Sequence, residues 1–433
     1  MSRLTIDLTP LKVSRDFRLL FIGQSVSFFG SVMSFVALSW QMYQVTKSSL
    51  AVGLLSVAEL VPILFTAFVG GALADYLDRR RMVRLTEALL AVGSGLLIIN
   101  SRFPQPRAWL LFACAASFAA LNGLQRPSLE ALPPRLVSPE LVPAASALTS
   151  LGGNIGLVAG PALGGWLAAT KGPALAYSMD LVTFIVSLIM LWRMRAVPPL
   201  PHRERPSLGA IMQGLRYARS RPELVGTYLV DITAMFFGMP MALFPAVAAS
   251  FGGGAVGLLY SAPAAGSLFA TLTSGWTGRA RRHGRAVVLA AGVWGLAIIC
   301  FGLVGQLWEA LLCLIVAGGA DMVSGLFRMT IWNQTVPDYL RGRLAGIELV
   351  SCASGPLLGN AEAGLIASLF SLRVSIISGG ILCVVGTGML ALALPAFLNY
   401  DGDEGVARKQ AEEAAWLAAA RGEGIEESSV TGA

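Results

Sequence analysis

Long apolar runs, broken by short polar or arginine-rich stretches, fill most of this chain. A helix needs about 20 apolar residues to cross the ~30 Å hydrocarbon layer of a bilayer. Twelve runs qualify, at 17–45, 50–74, 82–101, 107–132, 141–169, 173–193, 224–249, 254–277, 285–305, 308–335, 343–369 and 373–398. The fourth, fifth, tenth and eleventh are rich in Gly, Pro and polar residues, so their assignment leans on an internal repeat. Ala51-Val52-Gly53-Leu54-Leu55 recurs as Ala255-Val256-Gly257-Leu258-Leu259, and the same offset links Gly71 to Gly275. An apolar chain that repeats at half its length predicts an all-α membrane protein of two pseudo-symmetric six-helix bundles, residues 1–193 and 224–398, with its site between them.

The basic residues then set the topology. With the N-terminus in the cytoplasm, that side receives Arg15 and Arg18, the cluster Arg79-Arg80-Arg81, Arg84, and the arginines of 193–221 and 279–285. The other side holds only Lys47, Arg102, Arg107, Lys171 and Arg373. Cytoplasmic loops carry the Lys/Arg excess, so both termini are expected inside the cell membrane. Residues 194–223 read as a cytoplasmic linker: Pro198-Pro199-Leu200-Pro201 stops helix 6, and Ser207 caps a short amphipathic helix with Leu208, Ile211, Met212 and Leu215 on its apolar face. Residues 399–433 form a cytoplasmic tail rich in Glu and Ala, partly helical, with no function assigned.

Composition agrees with a bilayer as solvent. Hydrophobic residues make up 55% and charged residues 13% of the 433, against about 25% charge in soluble domains. The net charge of +7 sits in short loops as a topology signal, which argues against nucleic acid. Five cysteines lie in apolar runs without metal-ligand spacing and read as packing residues. A cleavable signal peptide is not expected, because polar residues through Arg18 precede a first apolar run too long for one. The only histidines, His202 and His283, fall in loops, and no P-loop is present. An enzyme, a metal site, a cofactor and ATP-driven pumping are therefore not expected. The anticipated partners are a small-molecule substrate, protons and lipid, and the expected state is a monomer.

Gly71-Ala72-Leu73-Ala74-Asp75-Tyr76-Leu77-Asp78-Arg79-Arg80-Arg81 resembles the signature between helices 2 and 3 of the major facilitator superfamily. The resemblance implies that superfamily's fold and a cytoplasmic gate. Asp75 would meet the positive N-terminal end of helix 11 near Gly342–Gly346, and Arg79 and Arg80 would pair with acids on neighbouring helices, Glu130 among them. The second-half copy, Gly275-Trp276-Thr277-Gly278-Arg279, has an arginine in place of the aspartate, implying a weaker latch or none. On helix 5, Gly156, Gly160, Pro161, Gly164 and Gly165 resemble the motif of the superfamily's drug antiporters. There the proline frees a carbonyl and kinks the helix, and the glycines let it slide against the other half. Gly359 and Gly364 repeat Gly160 and Gly165 on helix 11.

Further stretches extend the resemblance along nearly the whole chain: Trp40-Gln41-Met42-Tyr43-Gln44-Val45-Thr46, Arg126-Pro127-Ser128, Gly214-Leu215-Arg216-Tyr217 and Pro337 with Leu340-Arg341-Gly342-Arg343. They are similar to the branch that holds enterobactin-type siderophore exporters and macrolide or multidrug efflux proteins. Many efflux members carry an acid near the position of Ser31; serine there leans toward the siderophore exporters.

A charge at the bilayer centre costs roughly 2.5–3.5 kcal/mol on insertion scales, so each should face a partner or a wet cavity. The candidates are Glu59, Glu87, Arg126, Asp180, Asp231, Asp321, Arg328, Glu348 and Glu362. Asp321 and Arg328 share a face of helix 10, as Glu348 and Glu362 do on helix 11. The superfamily's cavity helices 1, 4, 7 and 10 favour Arg126, Asp231, Asp321 and Arg328. Glu59 and Asp321 are the deepest acids, and each is read either as a proton carrier or as a static interhelical bond. The expected function is proton-coupled export of a siderophore or drug by alternating access. Import of a small metabolite stays open because motif and topology leave direction undecided, and a non-transporting sensor is a further alternative.

Overall fold

The computed structural model describes residues 7–76, 78–195, 197 and 208–430; the side chains at 67–76, 208–211, 279, 342, 343, 345, 346, 349 and 420–430 fall outside that description. The first half contains α1 (Arg15–Thr46), α2 (Ser49–Tyr76), α3 (Arg79–Ser101), α4 (Ala108–Ala131), α5 (Val142–Thr170) and α6 (Pro173–Arg193). The second contains α7, in two pieces (Pro222–Phe237 and Phe244–Ser250), α8 (Val256–Leu272), α9 (His283–Leu303), α10 (Leu307–Thr335), α11 (Arg341–Leu369) and α12 (Leu372–Ala393). Among the described residues, ten spans are long and apolar enough to cross a bilayer, and α8 is a shorter apolar helix. Ser14 caps α1 by accepting from the Phe17 amide at 3.2 Å, and Asp78 caps α3 through the amides of Arg80 and Arg81.

The predicted run 224–249 is not one continuous helix. Gly238 ends the first piece of α7, Met239-Pro240 breaks the ladder, a 3₁₀ turn covers Met241–Leu243, and Pro245 opens the second piece. Proline cannot donate its amide and cannot continue the helix here. The run 254–277 ends its α-helix at Leu272 and finishes as a 3₁₀ turn over Ser274–Arg279. The tail is one continuous helix over Gly402–Val430, and the linker holds a helix over Leu208–Ser220. Ser207, its expected cap, lies outside the described residues, while Met212 and Leu215 are exposed.

The packing itself repeats. α1 lies against α5 and α6, as α7 lies against α11 and α12. α2 packs on α4, and α3 on α4 and α6; correspondingly α8 packs on α10, and α9 on α10 and α12. The halves meet chiefly through a symmetric pair of contacts, α2 with α11 and α5 with α8, with smaller ones from α1 to α8 and from α1 and α2 to the 241–250 stretch. Large apolar side chains such as Phe65, Val92, Ile99, Leu289 and Leu392 are exposed on the outer faces, as lipid-facing positions require. The molecule is two six-helix bundles back to back, embedded in a membrane by its own exterior.

Candidate functional site

Glycines make the contacts between the halves. Gly165 on α5 lies against the backbone of Gly257 on α8, leaving no room for a side chain at either position. The symmetric crossing seats Gly53 of α2 on Asn360 and Ala361 of α11, with Gly364 on Ser49 and Leu50. Asn360 reinforces it, donating to Ser56 Oγ at 3.2 Å and accepting from the Ala242 amide at 3.0 Å. Both crossings sit at the end of the molecule that carries the 46–50 connection, so the halves are closed there.

Of the glycines in the helix 5 motif, only Gly165 faces the other half. Gly156, Gly160 and Gly164 pack on Phe28, Val32 and Met33 of α1, within their own bundle. Pro161 lies inside α5, and its carbonyl meets Gly257.

Between the bundles lies a cavity of about 440 Å³ whose walls come from α1, α3, α4, α5, α6, α7 and α8. Its polar lining is uncharged (Gln24, Ser27, Ser31, Asn122, Gln125), set among Phe28, Phe35, Phe184 and Tyr260. A smaller space of about 220 Å³ shares Ser31, Phe35, Asn122 and Phe184 and adds the carboxyls of Glu59 and Asp180. Glu59 has no ion-pair partner among the described residues. Gln24 and Phe28 also line a third cavity, about 440 Å³, that runs past Glu130 toward the arginine-rich end.

The second half concentrates its charge. Arg328 pairs with Asp231 of α7 and reaches Asp321 at 3.7 Å. The Cys352 thiol is within hydrogen-bonding reach of Asp231, and Glu348 faces the same pair. Sequence pattern placed Asp321 and Arg328 on one face; the structure adds Asp231 and Glu348. Arg126 is not part of this cluster: it pairs with Glu130 at 2.8 Å, one turn along the C-terminal end of α4, and both are about two-thirds exposed. Glu362 lies beyond the cluster on α11, without an ion-pair partner among the described residues.

In the loop motif, Gly71 and Asp75 lie among the side chains outside the description. Its arginines settle on helix ends. Buried Arg79 donates to the Ala131 carbonyl at 3.3 Å, and Arg80 donates to the carbonyls of Met194 and Trp192. Those carbonyls close α4 and α6, where the helix dipole favours a cation. Glu130, expected as their partner, instead binds Arg126.

Sequence reasoning named two features without giving either a partner or a role. Glu87 of α3 and Asp180 of α6 are fully buried between α1, α3 and α6 and hydrogen-bonded by neutral groups. The tail helix, given no role, clasps the second bundle: Glu412 pairs with Arg221, Arg408 with Glu223 at 3.2 Å, and Lys409 with Asp338 at 3.1 Å. Trp416 stacks on Tyr339 with centroids 5.0 Å apart. Lys409 and Arg341 hold the exposed Asp338 carboxyl below its usual range.

Known proteins share this design. The enterobactin exporter EntS of Citrobacter koseri is 28% identical over 391 residues, covering 89% of this chain and 94% of that protein. The enterobactin exporter of Shigella boydii is 28% identical over 389 residues, with 89% and 93% covered. A bacterial homologue of the human lysosomal transporter Spinster, solved inward-facing and unoccupied, matches with a TM-score of 0.70 at 15% identity, over 88% of this chain and 97% of that one. The nucleoside transporter NupG matches with 0.67 at 14% identity, over 89% and 100%. Residues 5–422 match the family described as transmembrane secretion effector. With that match running nearly end to end over a duplicated helical fold, the chain belongs to the transmembrane secretion effector family of the major facilitator superfamily and is a multi-pass membrane transporter of the exporter type.

Proposed function

We propose that the protein exports a siderophore-like organic molecule across the cytoplasmic membrane by alternating access, driven by protons. The observation that carries this is the cavity between the bundles, closed at one end by the two glycine crossings and continuous with a vestibule at the other. Rocking of residues 1–193 against 224–398, joined by the 194–223 linker, would break those crossings and close the arginine-rich end. With both termini cytoplasmic, the form described is the one open inward. Asp75 would then dock on the positive start of α11 when that end shuts.

The cavity suits an aromatic, hydroxyl-bearing ligand. Phe28, Phe35, Phe184 and Tyr260 offer ring faces, while the amides of Gln24, Asn122 and Gln125 can each donate and accept. The relatives named as enterobactin exporters support that substrate class and the outward direction. Glu59 and Asp321 are the proposed proton carriers: among the described residues Glu59, in the smaller space beside the cavity, has no ion-pair partner, and Asp321 shares one cation with Asp231. Moving one charge through 100 mV is worth about 2.3 kcal/mol, enough for one proton to drive useful accumulation.

Export of enterobactin and of a macrolide from sealed vesicles, with proton flux recorded alongside, tests the proposal. Enterobactin movement coupled to counterflow of protons is expected, with coupling lost in Glu59→Gln or Asp321→Asn. Movement of neither compound would refute the substrate class, and full proton flux in both variants would refute the carriers. Labelling that finds the Asp75 loop on the outer side would refute the topology.

A further inference from the structure

The first bundle holds two buried carboxyls that the proposed mechanism leaves unused. α3 and α6 run antiparallel, and each contributes an acid and a serine seven residues apart: Glu87 with Ser94, and Asp180 with Ser187. Seven residues are two turns, about 10 Å along one face. Each acid therefore meets the serine of the opposite helix. Ser94 donates to Asp180 at 2.8 Å, and Ser187 lies within hydrogen-bonding reach of Glu87.

α1 covers the pair. Its Gly23 lies over Ser187 and its Gly30 over Asp180 and Thr183. Between them Gln24 donates to Glu87 at 2.6 Å and to Ser187 at 3.1 Å. Gln24 also lines the central cavity, so one amide separates a fully buried carboxyl from the transport path.

Among the described residues the site has no countercharge. Within the bilayer α1 presents only neutral groups here, and α4 contributes Gln125 and Cys114. α6 adds Tyr177, while Glu59 of α2 is a third acid. Arg84, three residues before Glu87, stacks on Trp192 at 4.7 Å. Oε2 of Glu87 and Oδ1 of Asp180 have no well-aligned hydrogen-bond donor, and only neutral hydroxyls stand near them, Ser27 and Ser187 at Glu87 and Ser34 and Thr183 at Asp180. An ionised carboxylate accepts at both oxygens, and burying it without a cation is costly. A carboxyl with an idle oxygen beside a movable amide is instead arranged to gain and lose a proton.

We propose that Glu87, gated by Gln24 and backed by Asp180, is a further proton-exchanging site, lodged between α1, α3 and α6 and separate from both Glu59 and the Arg328 cluster. A proton from cavity water adds to a Glu87 oxygen when Gln24 swings away, and it returns to water when α1 shifts; only that O–H bond forms and breaks. The transport role rests on the proton-driven reading above, but the exchange itself does not.

Infrared titration of the purified protein in lipid follows the C=O stretch of protonated carboxyls without any substrate. Glu87→Gln should remove one titrating component, and Gln24→Leu should move its midpoint while leaving the component in place. An unchanged titrating signal in Glu87→Gln overturns the proposal. Asp180→Asn, which keeps the shape of the site, should shift the Glu87 midpoint; an unmoved midpoint in both it and Gln24→Leu overturns the gated pair. In vesicles given enterobactin, Glu87→Gln should lower the proton-to-substrate ratio without abolishing coupling, and an unchanged ratio removes the coupling role. If the unmodified protein moves enterobactin without protons, the proton-driven reading and the coupling role fail together, and the infrared result alone decides the exchange.

Discussion

The two bundles are near copies in packing and opposites in chemistry. In the second, Arg328 gathers Asp231, Asp321 and Glu348 into one cluster spanning α7, α10 and α11. In the first, Glu59, Glu87 and Asp180 are spread over α2, α3 and α6, with only neutral donors around the buried pair. Duplication preserved the positions where helices touch, because backbone approach through Gly53, Gly165, Gly257 and Gly364 tolerates no side chain. Polar side chains between helices had no such constraint and diverged. A cluster built around one cation fails when that cation goes; a hydroxyl-bonded acid can be neutralised with little structural cost.

The sharpest way to break this contrast is Arg328→Met. It leaves Asp231 and its neighbours without their cation, and removing one partner of a buried pair costs about 3–5 kcal/mol. Transport should fall at least a hundredfold in vesicles, with a large loss of thermal stability in detergent. Glu87→Gln, the matching change in the first bundle, keeps the shape of a site that has no cation to strand, and should cost only about 1 kcal/mol, the ordinary size for a point change. Equal destabilisation by the two would erase the distinction between the bundles.

The glycine crossings offer a second comparison. Gly165→Leu forces a side chain into the backbone of Gly257, and Gly364→Leu does the same against Ser49 and Leu50 at the symmetric contact. Each should open the 46–50 end and slow transport by roughly tenfold or more, the scale of one lost 1.4 kcal/mol preference. Cysteine-accessibility labelling at cavity positions checks it. Gly156→Ala, facing Phe28 within the first bundle, should leave that end closed; opening by all three would show that α5 moves as a unit with α1.

How much of this was readable beforehand follows from range. Membrane helices announce themselves locally, since 20 apolar residues suffice, and the recurrence of Ala-Val-Gly-Leu-Leu exposed the duplication. The break in α7 was also present, in Gly238-Met239-Pro240, but run length hid it. The ion pair of Asp231 with Arg328 joins residues far apart in sequence and depends on how α7 and α10 are rotated, which apolar periodicity does not fix in a helix greasy on every side. Glu87 and Asp180 were visible as membrane acids, yet their partners are serines and an amide, residues too common to signal a network. The tail was opaque for the opposite reason: its Lys, Arg and Glu read as a solvated helix until Asp338, Glu223 and Arg221 are seen opposite them.

That tail supplies the mildest test, since it caps only the second bundle. Its grip combines the pairs of Glu412, Arg408 and Lys409 with the stack of Trp416 on Tyr339. Exposed pairs are worth little each and weaken with salt, so raised ionic strength should loosen the helix and Trp416→Ala should loosen it further. Protection of residues 402–419 from protease measures this, with transport changing a few-fold at most. Asp338 sets the pH response. Its folded carboxyl titrates below the unfolded value of about 3.9, so its contribution is complete above that value and disappears as pH falls through the folded one. Protection should hence stay flat from neutral pH down to about 5 and drop only in stronger acid, and Asp338→Asn should abolish that acid-dependent step. A loss centred near neutral pH would mean that some group other than Asp338 governs the clasp.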